Sequence, residues 1–199
     1  QRYTTSYTFN LISNESFLNF DQLKNRLSSH QLNFVHKINA FWLADFKTEW
    51  NQNRNTSQNF ENRNFELEGF NTIPKLSYFF NSDLRFDLIY EFSTRNNQIG
   101  DREQLNTQRF GTAFFWNNVE KWTINADFNY IEHDFEGNSF SPVSYQMMQG
   151  LSPGTNLTWS LVAQRKITSF IDLNLNYFGR KTQNSQTIHT GTIQLKAYF

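Results

Sequence analysis

The sequence predicts an all-β fold: an antiparallel transmembrane β-barrel of about ten strands, or the last part of a larger one. Three observations carry that prediction. Apolar residues recur with period two from one end of the chain to the other, and the helical 3.6 period is almost absent. Mean hydropathy is low, −0.67, yet 18% of residues are aromatic, with 22 Phe, 8 Tyr and 5 Trp. The chain also closes on an alternating segment, Ile-Gln-Leu-Lys-Ala-Tyr-Phe at 193–199. A barrel reconciles polarity with aromatic content, because alternate strand residues face lipid and a polar lumen. A soluble β-sandwich alternates equally well, but it gives no reason for the chain to finish on Phe199.

The strands follow in order. Residues 3–11 alternate Tyr, Thr, Tyr, Phe and Leu against Thr, Ser, Thr and Asn. The stretch 30–50 exceeds the roughly 9–11 residues of one membrane-crossing strand. It is divided into 29–37 and 41–50, with a turn at 38–40. Segment 70–80 carries Phe70, Leu76, Tyr78 and Phe80 on one face, with Pro74 placed near a strand end. In 84–94, Leu84, Phe86, Leu88, Tyr90 and Phe92 alternate with Arg85, Asp87, Ile89, Glu91 and Ser93. Segment 104–116 shows Phe110, Phe114 and Trp116 on one side. In 122–131, Trp122, Ile124, Ala126, Phe128 and Tyr130 oppose Thr123, Asn125, Asp127 and Asn129. Segments 157–166 and 171–181 repeat the pattern, and the terminal strand makes ten.

Connection lengths supply a polarity. If the terminal strand finishes on the periplasmic side, the periplasmic turns fall at 38–40, 81–83, 117–121 and 167–170. The surface loops then fall at 12–28, 51–69, 95–103, 132–156 and 182–187, each longer than every turn, as outer-membrane barrels require. Trp50, Trp116, Trp122, Tyr130, Trp159, Tyr177 and Tyr198 gather near the expected strand ends, where aromatic girdles meet headgroups.

The terminal strand places Ile193, Leu195, Ala197 and Phe199 on one face. It resembles the carboxy-terminal signal of outer-membrane proteins, which the barrel assembly machinery recognises as an edge strand. Gly191 departs from that signal's usual spacing. A broader resemblance covers 140–199: the run from Ser141-Pro-Val-Ser-Tyr to Leu157-Thr-Trp159, then Gln164-Arg-Lys, Asn176-Tyr-Phe-Gly-Arg-Lys181 and Ile188-His-Thr-Gly191. This is similar to the end of long, poorly characterised outer-membrane proteins of Bacteroidota. The resemblance implies that the chain is a piece of something longer, and it implies no activity. Gln1 stands where a signal peptide or a larger upstream portion is expected to have been removed.

Other classes fare worse. No run approaches the roughly 20 apolar residues of a spanning helix. Equal numbers of basic and acidic residues, 18 each, give no nucleic-acid footprint. There is no cysteine, and four scattered His residues form no metal site, so neither metal nor cofactor is expected. The adjacent pair His133-Asp134 suggests acid–base chemistry only with a second carboxylate pair facing it. No Asp-x-Asp motif occurs, and His36 and His189 are weak partners for a lipase-type serine. The chain is therefore expected not to be an enzyme.

The lumen-facing charges Asp45, Lys47, Glu49, Lys75, Arg85, Asp87, Glu91, Arg109, Asp127, Asp172 and Lys196 are mixed in sign. They suit cross-strand ion pairs rather than a one-sign selectivity ring. The longest loop, 132–156, contains Tyr145, Met147, Met148 and Leu151, an adaptable surface for plugging the lumen or binding a partner. The expected role is channel, translocon component or scaffold of an outer-membrane complex. Its partners would be outer-membrane lipid, the assembly machinery, and other outer-membrane proteins or lipoproteins. The alternatives are a plug-less portion of a TonB-dependent-type nutrient receptor, or a barrel enzyme of protease or lipase type.

Overall fold

A computed structural model describes residues 2–18, 21–118, 122–183 and 185–198. Among these, ten strands form a single sheet in sequence order. They are β1 (Tyr3–Leu18), β2 (Asp21–Lys37), β3 (Trp42–Ser57), β4 (Phe65–Phe79), β5 (Leu84–Asn97), β6 (Gln104–Asn118), β7 (Trp122–Glu136), β8 (Gly154–Thr168), β9 (Ile171–Thr182) and β10 (Ile188–Ala197). One short helix, α1 (Pro142–Met147), and a 3-10 turn at Glu61–Arg63 interrupt the connections. Every strand pairs antiparallel with its sequence neighbour. β1 and β10 are the two edges, and among the described residues they are not paired with each other.

The short turns fold through their own side chains. Asn39 Oδ1 accepts from the backbone N–H of Phe41 and Trp42, at 2.8 and 2.9 Å. Asn81 Oδ1 repeats this with Asp83 and Leu84, at 2.8 and 2.9 Å. Asn favours such turns because its carbonyl mimics a backbone acceptor. The division between β2 and β3 thus falls where the sequence placed it.

The strands themselves are longer than expected, up to 17 residues in β2. The expected surface loop 12–28 is mostly strand, and only two residues separate β1 from β2. The rule that every loop exceeds every turn therefore fails at this hairpin. Polar cross-strand pairing explains the error: Asn14↔Asn25 and Glu15↔Lys24 continue the ladder beyond the apolar pattern. Pro74 also lies inside β4, not near its end. Cα pairing with β5 runs from Leu67↔Asn97 to Thr72↔Phe92 and resumes at Lys75↔Ile89, a gap at Ile73 and Pro74 that takes in the residue lacking an N–H.

Register separates the two faces. On β4 to β7 the odd-numbered residues share one face and the even-numbered residues the other. The even face carries Phe70, Phe86, Leu88, Tyr90, Phe110, Phe114, Phe128 and Tyr130, all well exposed, Phe110 by 50%. The odd face carries the polar and charged residues, and the 137–153 connection folds onto it. These are called the outer and inner faces below.

Candidate functional site: a capped polar cavity on the inner face

The apolar core of the molecule lies under the 137–153 connection. Val143, Met147 and Met148 pack against Phe65 and Leu67 of β4 and Leu105 of β6, with Phe135 of β7 alongside. Leu105 and Met147 are each only 1% exposed. Ser141 caps α1 by accepting from the Ser144 N–H at 3.0 Å, the usual role of Ser at a helix start. It also donates to Glu103 Oε1 at 3.2 Å. At the far end Asn156 Nδ2 donates to the carbonyls of Ser152 and Gly154, at 2.8 and 3.0 Å. Arg95 Nη1 donates to the Met147 carbonyl. The connection is thus pinned at both ends and at its centre.

Beneath it lies a cavity of about 410 Å³, walled by β5, β6 and β7 and roofed by Met147, Met148, Gln149 and Leu151. Arg109 and Glu91 form a cross-strand ion pair at 2.6 Å. His133 Nδ1 lies 2.9 Å from Thr107 Oγ1. His133 Nε2 and Arg109 Nε are buried with no hydrogen-bond partner. Farther along the inner face Lys75 pairs with Asp45 at 3.0 Å, Lys47 with Glu49 at 3.2 Å and Arg85 with Asp87 at 3.2 Å. The face is therefore a chain of local charge pairs, not a one-sign ring.

The residues singled out in the sequence divide between the faces. Of the loop residues, Met147 and Met148 are buried, Leu151 lines the cavity and Tyr145 remains exposed. Ile193, Leu195 and Ala197 share the outer face of β10 with their partners Leu175, Leu173 and Ile171. Phe199 lies outside the described residues. Trp116 and Trp122 flank the 119–121 connection, whereas Trp50, Tyr130, Trp159 and Tyr177 lie within strands because the strands overrun the expected ends. Tyr198 hydrogen-bonds Asp172.

His133 and Asp134 are not a dyad. Both lie in β7, where neighbours point to opposite faces, so His133 is buried while Asp134 is exposed. One cavity residue escaped the sequence reading, and another was singled out only for its neighbour. Arg95 falls one residue past the expected end of its strand. His133, weighed with Asp134, falls two past the end of its own, inside the expected loop 132–156. Continued alternation, Ile131-His133-Phe135 inward, was the signal available. Among the described residues no group of three or more His, Cys, Asp or Glu is placed to hold a metal ion.

Two solved structures of OmpT, an outer membrane protein of Vibrio cholerae, share this fold. The in-vitro folded form matches with a TM-score of 0.56 at 9% identity, over 86% of this chain and 53% of that one. The outer-membrane expressed form matches with a TM-score of 0.55 at 8% identity, over 84% and 52%. No protein-family model matches the chain, and no curated protein does. The fold is thus of the outer-membrane β-barrel class, and the chain spans about half the length of the structures it matches. This likeness corrects one expectation. The missing Asp-x-Asp motif led to the exclusion of catalysis, but similarity to OmpT puts the chain in a fold class whose strand framework does not decide activity. The exclusion is withdrawn.

Proposed function

We propose that the chain forms part of the wall of a polar passage through the bacterial outer membrane, as a channel or translocon component. The observation that supports this best is the two-faced sheet. Its outer face is studded with exposed aromatic and aliphatic side chains, and its inner face carries Asn and paired charges. Hydrocarbon tolerates such a sheet only when its backbone groups are all paired. The free edges at β1 and β10 therefore call for further strands, and OmpT, a longer chain of which the match covers only 53%, shows the class accommodating more chain. The chain is then a portion, of Bacteroidota type and carboxy-terminal, of a longer barrel, with its last strand running to the periplasmic side. Lipid contacts the outer face, and the assembly machinery and neighbouring outer-membrane proteins or lipoproteins are the remaining partners.

The 137–153 connection is the constriction of that passage. Conductance of the full-length protein in planar bilayers tests the reading. Ohmic conductance that rises when residues 138–152 are replaced by a short Gly-Ser linker is the expected result. A correctly inserted protein that stays non-conducting with that segment removed would overturn the passage and leave a scaffold.

A further inference from the structure

The cavity under the 137–153 connection is chemically unbalanced. Two guanidinium groups, Arg95 and Arg109, face one carboxylate, Glu91. Glu91 is already held by Arg109 at 2.6 Å. Among the described residues no carboxylate lies within ion-pair distance of Arg95, whose hydrogen bond goes to the Met147 carbonyl. A guanidinium has five N–H donors, so most of its capacity is unspent. His133 supplies the buried group without a partner: the residue is only 7% exposed, and Nε2 has no hydrogen-bond partner. Thr107 Oγ1 and His133 Nδ1 share a hydrogen bond at 2.9 Å, and the tautomer in which Thr107 donates leaves the proton on Nε2, where the ring presents a donor to the cavity. Buried donors without acceptors cost folding free energy unless something else satisfies them.

We propose that this cavity binds a small anionic solute, with its carboxylate or phosphate oxygens on Arg95 and His133 Nε2. Arg95 supplies the planar fork suited to either oxyanion. Ser93 adds a hydroxyl, and Ile131, Met148 and Leu151 form an apolar wall for the rest of the solute. The volume of about 410 Å³ falls within the range of small-molecule sites. The two carboxylates whose charge reaches Arg95, Glu91 and Glu49, are each paired with their own cation, Arg109 and Lys47. The rival use of Arg95 is purely mechanical, a latch on the Met147 carbonyl. The inference rests on the cavity, and it stands whether or not the passage conducts.

The test is calorimetric titration of the full-length protein in detergent at low ionic strength, with glucuronate as the carboxylate probe and inorganic phosphate as the other. Saturable binding of either probe is expected, and the probe that saturates identifies the oxyanion. Arg95→Gln should weaken binding by about tenfold or more, the loss of one charged hydrogen-bonding partner. Leu151→Trp, which fills the apolar end without touching a charge, should also weaken it. Lys24→Gln, on an exposed pair with Glu15, should leave it unchanged. Saturation by neither probe, or undiminished binding in both Arg95→Gln and Leu151→Trp, would overturn the site. Equal weakening by Lys24→Gln would likewise reduce it to general surface charge.

Discussion

Trp159 packs across Gly179, its register partner on β9, so closely that a Cβ there would fall 2.1 Å from the indole Cε2. An aromatic ring laid over a bare glycine restores the side-chain contact that strand lacks. Gly179→Val should expel the ring and lower stability by about 1–3 kcal/mol, the usual cost of overpacking. Urea unfolding in detergent, followed by tryptophan fluorescence, measures it. The ion pair of Arg109 and Glu91 behaves differently, since both side chains are largely shielded. Arg109→Met strands the Glu91 carboxylate and should cost about 1–3 kcal/mol in the same assay, with the added Glu91→Gln substitution recovering part of it. Side chains of this kind were half legible. Alternation assigned the inner charges correctly from Asp45 to Arg109. It could not show that Lys47 and Arg85 find partners on their own strands, because rotamers decide that. Nor could it show that Gly179 lies under a tryptophan, since register between strands is a tertiary property.

Strands and loops exchange residues at their outer ends. β1 and β2 continue past the roughly 9–11 residues that cross a bilayer, and at that overhang Asp21 receives the Ser57 hydroxyl at 2.7 Å and the Asn59 N–H at 3.1 Å. The Ser57 bond above all holds the Asp21 carboxyl below its usual range, against an opposing push from burial. A depressed carboxyl adds stability above its unfolded value of about 3.9, and that contribution disappears as pH falls through the folded value. Acidification below about pH 4 should therefore loosen residues 57–60 in hydrogen exchange, and Asp21→Asn should remove this pH dependence. The 137–153 connection is held chiefly by apolar contact. Met147→Asp buries a charge against Leu105 and should undock it, so that protease cuts this segment while the strands stay intact. The sequence showed that this connection was long and Met-bearing, but it left open whether the loop plugs the lumen or binds a partner. Its inward fold follows from the apolar patch of Phe65, Leu67 and Leu105; Phe65 and Leu67 fell within the expected surface loop 51–69, where Glu and Asn break up the apolar pattern.

At the scale of the molecule the sheet is two-faced, open at β1 and β10 among the described residues, and covered on one side by its own loop. An open sheet with long unpaired edges is an aggregation hazard in water and costly in lipid, so both edges should be protected in the assembled protein. Hydrogen exchange on the full-length protein in lipid should find the β1 and β10 amides as slow as those of β5. Fast exchange there would mean that nothing pairs with them. The division of faces was legible from period two alone, whereas the edges were not, because pairing partners cannot be read from one strand. The central claim, an outer face in lipid and an inner face in water, has a direct measurement. The chain has no cysteine, so single cysteines can be placed at each position from 84 to 93 of β5 in the full-length protein and spin-labelled in vesicles. Oxygen accessibility should peak at Leu84, Phe86, Leu88, Tyr90 and Phe92. Accessibility to a polar nickel reagent should be higher at Arg85 than at its even-numbered neighbours, because Arg85 is the inner-face charge of β5 that lies outside the capped cavity and is not fully buried. Uniform accessibility along the strand, or the opposite alternation, would contradict the account.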